Sequence, residues 1–153
     1  MHNTHDLQTL GGALIDLLGV LNSPQADDAL LREAGVRLDR ALFPLLVALD
    51  AREELSVAEL AALVGRDHTT VSRQLTKLAE LELVRRREGA SDRRRTTAEP
   101  TAAGRRIARR IAGARRRLLG RALADWSGAD VRTFAALNRR FANALLRLGG
   151  GTG

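Results

Sequence analysis

The sequence predicts a mainly α-helical protein with one β-hairpin near its middle. Apolar residues recur at steps of three and four over most of the chain, which is the period of an amphipathic helix. Between these segments, two short stretches rich in arginine, valine and threonine flank the turn-rich residues 88–93. The chain has 153 residues, 44% of them hydrophobic, which is enough for one compact domain.

Positive charge is concentrated in the second half of the chain. The formal net charge is +7, and Lys77 is the only lysine among 25 basic residues. Residues up to Leu55 sum to −5 and the rest to +12, with 14 arginines between Arg85 and Arg121. A basic surface of this kind favours a polyanionic partner, and the planar arginine side chain suits bidentate contacts to phosphate and guanine.

Several classes of chemistry are excluded or disfavoured. The absence of cysteine excludes disulfides, thiolate metal sites and thiol redox sensing. Neither a signal peptide nor a membrane-spanning run is visible, so we expect a cytoplasmic protein with no membrane partner. Three histidines without a carboxylate cluster indicate no metal or other cofactor. His68 and Ser72 share a helical face, but no carboxylate is evidently placed to orient His68, so we expect no enzymatic activity.

A leucine stripe marks the first predicted helix, which ends at the turn formed by Asn22, Ser23 and Pro24. We call this stripe the leucine seam: Leu7, Leu10, Leu14, Leu17 and Leu21. A second helix is predicted from about Val36 to Leu49, and Pro44 within it indicates a kink or a later start.

Two more helices are predicted in the last third, separated by Trp126-Ser127-Gly128. The first carries Ile107, Ile111, Ala114, Leu118 and Ala122 on one face. The second carries the C-terminal stripe: Phe134, Leu137, Phe141, Leu145 and Leu148. The apolar stripes at the two chain ends either pack against a second copy of the chain or close one internal core. The tail, residues 149–153, is expected to be disordered.

The centre of the chain predicts a helix, a tight turn and a second helix. Ser56 and Glu59 form a capping box, Gly65 ends the first helix, and Asp67 caps the second. The second helix turns Val71, Leu75 and Leu78 inward. This arrangement is typical of a helix-turn-helix, although any helical hairpin can show it.

The outward face of the second helix carries hydroxyl groups and long donors: Thr69, Thr70, Arg73, Gln74 and Lys77. In a DNA major groove, Arg73 can pair with guanine and Gln74 with adenine. The alternative is an ordinary solvated face. Strands predicted at residues 83–87 and 94–98 favour the first interpretation, because a hairpin attached to a helix-turn-helix is a wing whose tip arginines can enter a minor groove. Thr101 is predicted to cap the next helix.

Five short motifs carry a resemblance to a known family. They are Val57-Ala58-Glu59-Leu60-Ala61, Thr69-Thr70-Val71-Ser72-Arg73, Leu83-Val84-Arg85-Arg86, Asp92-Arg93-Arg94 and Thr101-Ala102-Ala103-Gly104. From about Asp39 to Ile107 the sequence therefore resembles the MarR family of winged helix-turn-helix transcriptional regulators. The resemblance implies a homodimer in which the terminal helices of two chains interlock through the leucine seam and the C-terminal stripe. It assigns residues 1–35 and 105–148 to dimerisation, and residues 36–104 to DNA binding.

The resemblance also implies which residues contact double-stranded DNA. The major-groove set is Thr69, Thr70, Ser72, Arg73, Gln74 and Lys77, and Arg86 is a further expected contact. Arg94 is expected to enter the minor groove with Asp92 orienting it, and Arg93 is the alternative. Pro100 departs from the family, which usually has leucine there, so the pose of the wing stays open.

The implied function is sequence-specific regulation of transcription, most simply repression. A homodimer would read a palindromic operator with half-sites about one helical turn apart, and a small aromatic or anionic effector could release it. The alternative is a sequence-indifferent architectural DNA-binding protein in which arginines coat the duplex backbone.

Overall fold

The computed structural model describes residues 1–88 and 96–149 and has seven helices and three strands within those ranges. The helices are α1 (Thr4–Leu21), α2 (Pro24–Ala34), α3 (Phe43–Arg52), α4 (Val57–Val64), α5 (His68–Glu80), α6 (Ala102–Ala122) and α7 (Gly128–Gly149). The strands are β1 (Leu55–Ser56), β2 (Val84–Glu88) and β3 (Thr96–Pro100). This architecture confirms the predicted mainly helical, winged helix-turn-helix fold. No described helix is long and apolar enough to cross a membrane.

The chain forms two compact units, Met1–Arg115 and Arg116–Gly153. The first unit contains the helix-turn-helix and an antiparallel sheet with the strand order β1-β3-β2. Leu55 of β1 pairs with Ala98 of β3, and Val84 of β2 pairs with Pro100. The hairpin is therefore extended by a third strand that the sequence did not predict, because two residues are too few to show the alternation of a strand.

Leucine dominates the core of the first unit. The largest fully buried side chains are Leu45, Leu46, Leu49, Leu60, Val71, Leu75, Leu78 and Ile111. Burial of one such side chain contributes roughly 1.5–3 kcal/mol relative to exposure. The start of α6 packs tightly here, because a Cβ atom at Gly104 would overlap the carbonyl oxygen of Leu83.

The predicted helix from Val36 to Leu49 is wrong at its start, because α3 begins at Phe43. Of the two alternatives that Pro44 raised, the later start is correct. Pro44 lies in the first turn of α3, where a proline has no helical hydrogen bond to lose. Before it, the backbone N–H of Ala41 donates to Asp39 Oδ1 at 2.8 Å, which turns the chain locally.

Helix α2 directly follows the turn that ends α1, and the sequence did not predict it. Ser23 Oγ accepts a hydrogen bond from the Ala26 N–H at 3.1 Å, and Pro24 occupies the first turn. Gly35 ends the helix in the left-handed conformation, with φ 64°. The sequence therefore contains a helix start signal (Ser-Pro) and a helix stop signal (Gly), but the apolar residues between them are too few to show a helical period.

The second wing strand also differs from its prediction. β3 spans Thr96–Pro100 rather than residues 94–98, and residues 94 and 95 lie outside the described ranges. The strand can end at Pro100 because Thr101 takes over the polar contacts: its N–H donates to Leu83 O at 3.0 Å. Thr101 Oγ1 accepts from the Gly104 N–H at 3.1 Å, which confirms its predicted capping of α6.

The two terminal helices have no buried side chain. Along the leucine seam, for example, Leu7 is 52% and Leu17 50% exposed.

The break after α1 and the break at residues 126–128 are confirmed. Ser127 Oγ accepts from the Asp130 N–H at 3.1 Å, and the Trp126 and Phe134 rings meet edge to face with centroids 5.4 Å apart. Gly149 is not disordered as predicted but is the last residue of α7, whereas residues 150–153 lie outside the described ranges.

Candidate nucleic-acid interface

Two helix caps and one glycine shape the helix-turn-helix. Ser56 Oγ accepts from the Glu59 N–H at 3.1 Å, so the predicted cap of α4 is present. Gly65 ends α4 with φ 67°, a left-handed conformation that glycine adopts without strain. Asp67 Oδ1 accepts from the Thr70 N–H at 2.8 Å and caps α5. The turn predicted from these four residues is confirmed.

The burial of α5 defines its outward face. Val71, Leu75 and Leu78 are fully buried, as predicted. Thr69, Arg73 and Lys77 are exposed, and Thr70, Ser72 and Gln74 are half-buried along the two edges of that face. Arg73 lies near the middle of the exposed face because it is two residues from Val71 and from Leu75, about 200° around the helix.

Thr70 and Asp67 form a tight local pair at the start of α5. Thr70 Oγ1 donates to Asp67 Oδ2 at 2.7 Å, in addition to the backbone bond. The bond from the Thr70 hydroxyl, helped by the Thr70 N–H and the positive charge of Arg73, lowers the pKa of Asp67 below its ordinary value of 3.8. Because the hydroxyl proton is engaged, Thr70 offers an approaching ligand an acceptor rather than a donor.

Arg66, in the turn between α4 and α5, was not among the predicted site residues. Its Nη1 donates to Ala41 O at 2.6 Å and to Gln74 Oε1 at 2.8 Å. The first bond connects the turn to the segment before α3, and the second holds the side chain of Gln74. No sequence signal identifies this role, because the two acceptors lie 25 and 8 residues away along the chain.

Arg86 of β2 contacts α5. Its Nη2 donates to Ser72 Oγ at 3.3 Å, and its Nη1 donates to Thr76 Oγ1 at 3.1 Å. Thr76 Oγ1 in turn donates to the Ser72 carbonyl oxygen at 3.1 Å. The structure therefore brings together Ser72 and Arg86, two predicted DNA contacts, and adds Thr76, which was not among the predicted site residues.

Two more arginines of β2 share one carboxylate. Arg85 Nη1 and Arg87 Nε lie 3.3 and 3.2 Å from Glu99 Oε1, and Glu99 is the less exposed partner of both ion pairs. This shared carboxylate compensates part of the positive charge of β2. The predicted minor-groove residues Asp92, Arg93 and Arg94 lie outside the described ranges.

The His68–Ser72 pair considered for catalysis has a different environment from a dyad. The Ser72 hydroxyl accepts a hydrogen bond from Arg86, a cationic donor, whereas a catalytic serine donates its proton to a neighbouring base. Within residues 1–88 and 96–149, no three His, Asp or Glu side chains are grouped so that they could hold a metal ion.

Comparison with known proteins agrees with this geometry. Residues 38–95 match the MarR family. Three solved structures share the fold over nearly the whole chain. A MarR family protein from Bacillus stearothermophilus is 18% identical, with a TM-score of 0.79 over 95% of this chain and 99% of that one. A crystal structure of MarR is 25% identical, with a TM-score of 0.75 over 98% and 99%.

The third structure is the transcriptional regulator BldR from Sulfolobus solfataricus, which is 22% identical, with a TM-score of 0.70 over 94% of this chain and 99% of that one. No curated protein matches the sequence. Residues 38–95, which contain the helix-turn-helix and the first wing strand β2, therefore match the MarR family, in a chain with the fold of MarR-family transcriptional regulators.

Proposed function

We propose that this protein is a sequence-specific, double-stranded-DNA-binding transcriptional regulator that inserts α5 into the major groove. The observation that carries the proposal is the outward face of α5, where Thr69, Arg73 and Lys77 are exposed and opposite a fully buried apolar face. A protein that only coats the DNA backbone has no need for this mixture of a hydroxyl, a planar fork and an ammonium group on one helix. The MarR-family match of residues 38–95 supports the same function.

In this proposal each part of the interface has a separate task. Arg73 donates two hydrogen bonds to guanine O6 and N7, the commonest specific contact of arginine in the major groove. Lys77 binds a phosphate as a point charge. Asp92 and one of Arg93 and Arg94 serve the adjacent minor groove, as the family resemblance implies.

The active species in this proposal is a homodimer. The leucine seam and the C-terminal stripe present leucines and phenylalanines that are largely exposed in the single chain, and a second copy would remove them from water. To read two half-sites on one side of the duplex, such a dimer must place its two α5 helices about 34 Å apart, one turn of B-DNA. The operator is then a palindrome, and repression follows when that operator overlaps a promoter.

We further propose that a small aromatic anion acts as an effector. NadR, which shares the fold with a TM-score of 0.66 and 16% identity, was crystallised with 4-hydroxyphenylacetate. Exposed arginines of α6, such as Arg106 and Arg109, offer charge of the right sign for a carboxylate. The depression of about 480 Å³ beside Trp126 does not offer charge of that sign, because the carboxylates of Asp125 and Asp130 line it.

Selection of bound duplexes from a random-sequence DNA library at physiological salt tests the function. We expect enrichment of a palindrome, with the protein bound as a dimer. The Arg73→Ala variant should lose base preference within each half-site, and Arg40→Ala should not. Arg40 is the matched control because it is exposed, lies outside α5 and pairs only weakly, 3.7 Å from Asp28. Tight binding without any enriched motif would overturn the proposal and favour the architectural alternative.

A further inference from the structure

Arg66 and Gln74 form a connected pair at the edge of the candidate interface. Arg66 directly follows Gly65, and both side chains are half-buried. The guanidinium group donates to the Gln74 side chain at 2.8 Å and to the Ala41 carbonyl oxygen at 2.6 Å. The second bond anchors Arg66 to the backbone before α3 and so restrains the guanidinium group beside Gln74.

This contact fixes the direction of the Gln74 amide. A guanidinium group has donors only, so its partner on Gln74 must be the carbonyl oxygen Oε1. The Nε2 group, with its two N–H donors, therefore points away from Arg66. Gln74 lies on one edge of α5 together with Thr70 and Lys77, four residues before and three residues after it. A wall of a DNA groove that approaches this edge of α5 therefore meets the N–H donors of the Gln74 amide.

Glutamine recognises adenine through both ends of its amide: the oxygen accepts from adenine N6 and the nitrogen donates to N7. Arg66 already binds one of the two lone pairs of the Gln74 oxygen and holds that oxygen on its own side, away from the donors. Guanine presents two acceptors, O6 and N7, on the same edge, and these suit the free Nε2 donors. The expectation that Gln74 pairs with adenine, drawn from residue type alone, does not account for this constraint.

We propose that Arg66 is a specificity-determining residue that holds the Gln74 amide with its donors outward, so that Gln74 reads guanine instead of adenine. The inference rests on the proposed function, because it requires α5 to lie in the major groove. Arg66 acts through Gln74 and does not itself touch the base.

The test begins with the site selected by the full-length wild-type protein. Comparison of selections by the wild type and Gln74→Ala identifies the base pair that Gln74 reads. We expect the wild type to prefer guanine there about tenfold over adenine, within the range for one good base contact. Replacement of that guanine by 7-deazaguanine removes the N7 acceptor and should weaken wild-type binding several-fold, with no further effect on Gln74→Ala.

The Arg66→Met variant then tests the arginine. Methionine keeps an unbranched apolar stem and removes every donor, so the freed amide can turn its oxygen outward. We expect the ratio of guanine to adenine preference at that base pair to fall at least fivefold. Arg40→Met is the matched control and should leave the ratio unchanged.

A second variant protects the test against loss of folding, since Arg66 also holds the Ala41 carbonyl oxygen. Gln74→Glu keeps an acceptor for Arg66 and offers only acceptors to DNA. We expect its melting temperature to stay at the wild-type value while guanine preference disappears and cytosine, which donates from N4, is favoured.

The outcomes separate the two proposals. If the wild type selects no motif, the proposed function fails. If it selects a motif but Gln74→Ala alters no base preference, Gln74 contacts the backbone at most and the inference about Arg66 is overturned alone. That inference is also overturned if folded Arg66→Met binds all sequences more weakly by one common factor, or if Gln74→Glu still prefers guanine.

Discussion

The guanidinium group of Arg86 joins the wing to α5 through Ser72, with 3.3 Å between Nη2 and Oγ. Its other terminal nitrogen bonds to Thr76, which lies one helical turn further on, so the guanidinium group spans two acceptors on one face of α5. The Arg86 side chain therefore helps to fix the position of β2 relative to α5. We therefore expect Arg86 to affect DNA binding through the pose of the wing even if it never touches DNA.

The variant pair Arg86→Met and Ser72→Ala tests this connection. Each single substitution should weaken DNA binding at all sequences, because the wing loses its fixed pose. The double variant should be little worse than Arg86→Met, with a coupling energy of about 1 kcal/mol, as expected for a partly exposed hydrogen bond. Titration of labelled operator DNA with the wild type and the three variants gives the four binding free energies of this double-mutant cycle. Simple additivity of the two losses would show that Arg86 binds DNA independently of Ser72.

Gly104 should be essential for stability. A Cβ atom there would overlap the Leu83 carbonyl oxygen, which is backbone and also accepts from Thr101. Gly104→Ala should therefore lower the free energy of unfolding by roughly 1–3 kcal/mol or more, through displacement of α6. Gly120, in the same helix, has nothing within 4 Å of a Cβ position. Gly120→Ala should raise stability by about 0.5–1 kcal/mol. Urea unfolding of both variants gives the comparison, and equal effects would contradict the close packing at Gly104.

Asp67 should make stability depend on pH in acid. Its folded-state pKa lies below 3.8 because the Thr70 hydroxyl and N–H bond to its carboxylate. The stabilisation is therefore complete above the unfolded-state pKa of about 4 and is lost as the pH falls through the lower folded-state value. The stability advantage of the wild type over Asp67→Asn should stay constant at neutral pH and shrink in acid. Thr70→Val, which removes the hydroxyl, should move that loss to higher pH. A difference that is independent of pH would show that the carboxylate charge has no role in the cap.

Much of the fold follows from local rules that are visible in the sequence. The caps at Ser56 and Asp67 and the left-handed Gly65 are short-range features, so the helix-turn-helix could be placed to within a residue. The apolar period also located α1, α6 and α7. By contrast, α2 has few apolar residues and was not predicted. The leucine pattern placed the start of α3 too early in the chain, because the helix begins only beside Pro44.

The candidate site was less predictable, because its polar side chains pair across the fold. Residue type identified Gln74 as able to contact DNA, and the family resemblance added Ser72 and Arg86. Only the structure shows that the Ser72 hydroxyl and the Gln74 carbonyl oxygen each accept from an arginine. Arg66 could not be found from the sequence, because its acceptors belong to distant parts of the chain.

The leucine seam should hold the dimer together. Leu10 and Leu17 are 42% and 50% exposed in the single chain, and each would be desolvated in a two-chain interface. The Leu10→Glu/Leu17→Glu double variant should sediment as a monomer at concentrations where the wild type is a dimer, because a buried unpaired carboxylate is costly. It should also bind a palindromic operator much more weakly while binding one half-site normally. Gln8→Glu, which adds charge to another face of α1, is the control. A dimer of the double variant would exclude the seam as the main interface.

Arg73 and Lys77 should differ in kind as DNA contacts, although both are exposed on α5. Arg73→Ala should cost roughly 1–3 kcal/mol on the best operator and little on mismatched DNA, because it removes a bidentate contact to one base. Lys77→Ala should weaken binding to all sequences by a similar factor and reduce the slope of log Kd against log salt concentration by about 1, because it removes one phosphate contact. Binding isotherms on the operator and on a scrambled duplex, each at several salt concentrations, separate the two behaviours. If Arg73→Ala lost affinity equally on both duplexes, α5 would contact only the DNA backbone at that position, and base readout would have to come from elsewhere on the chain.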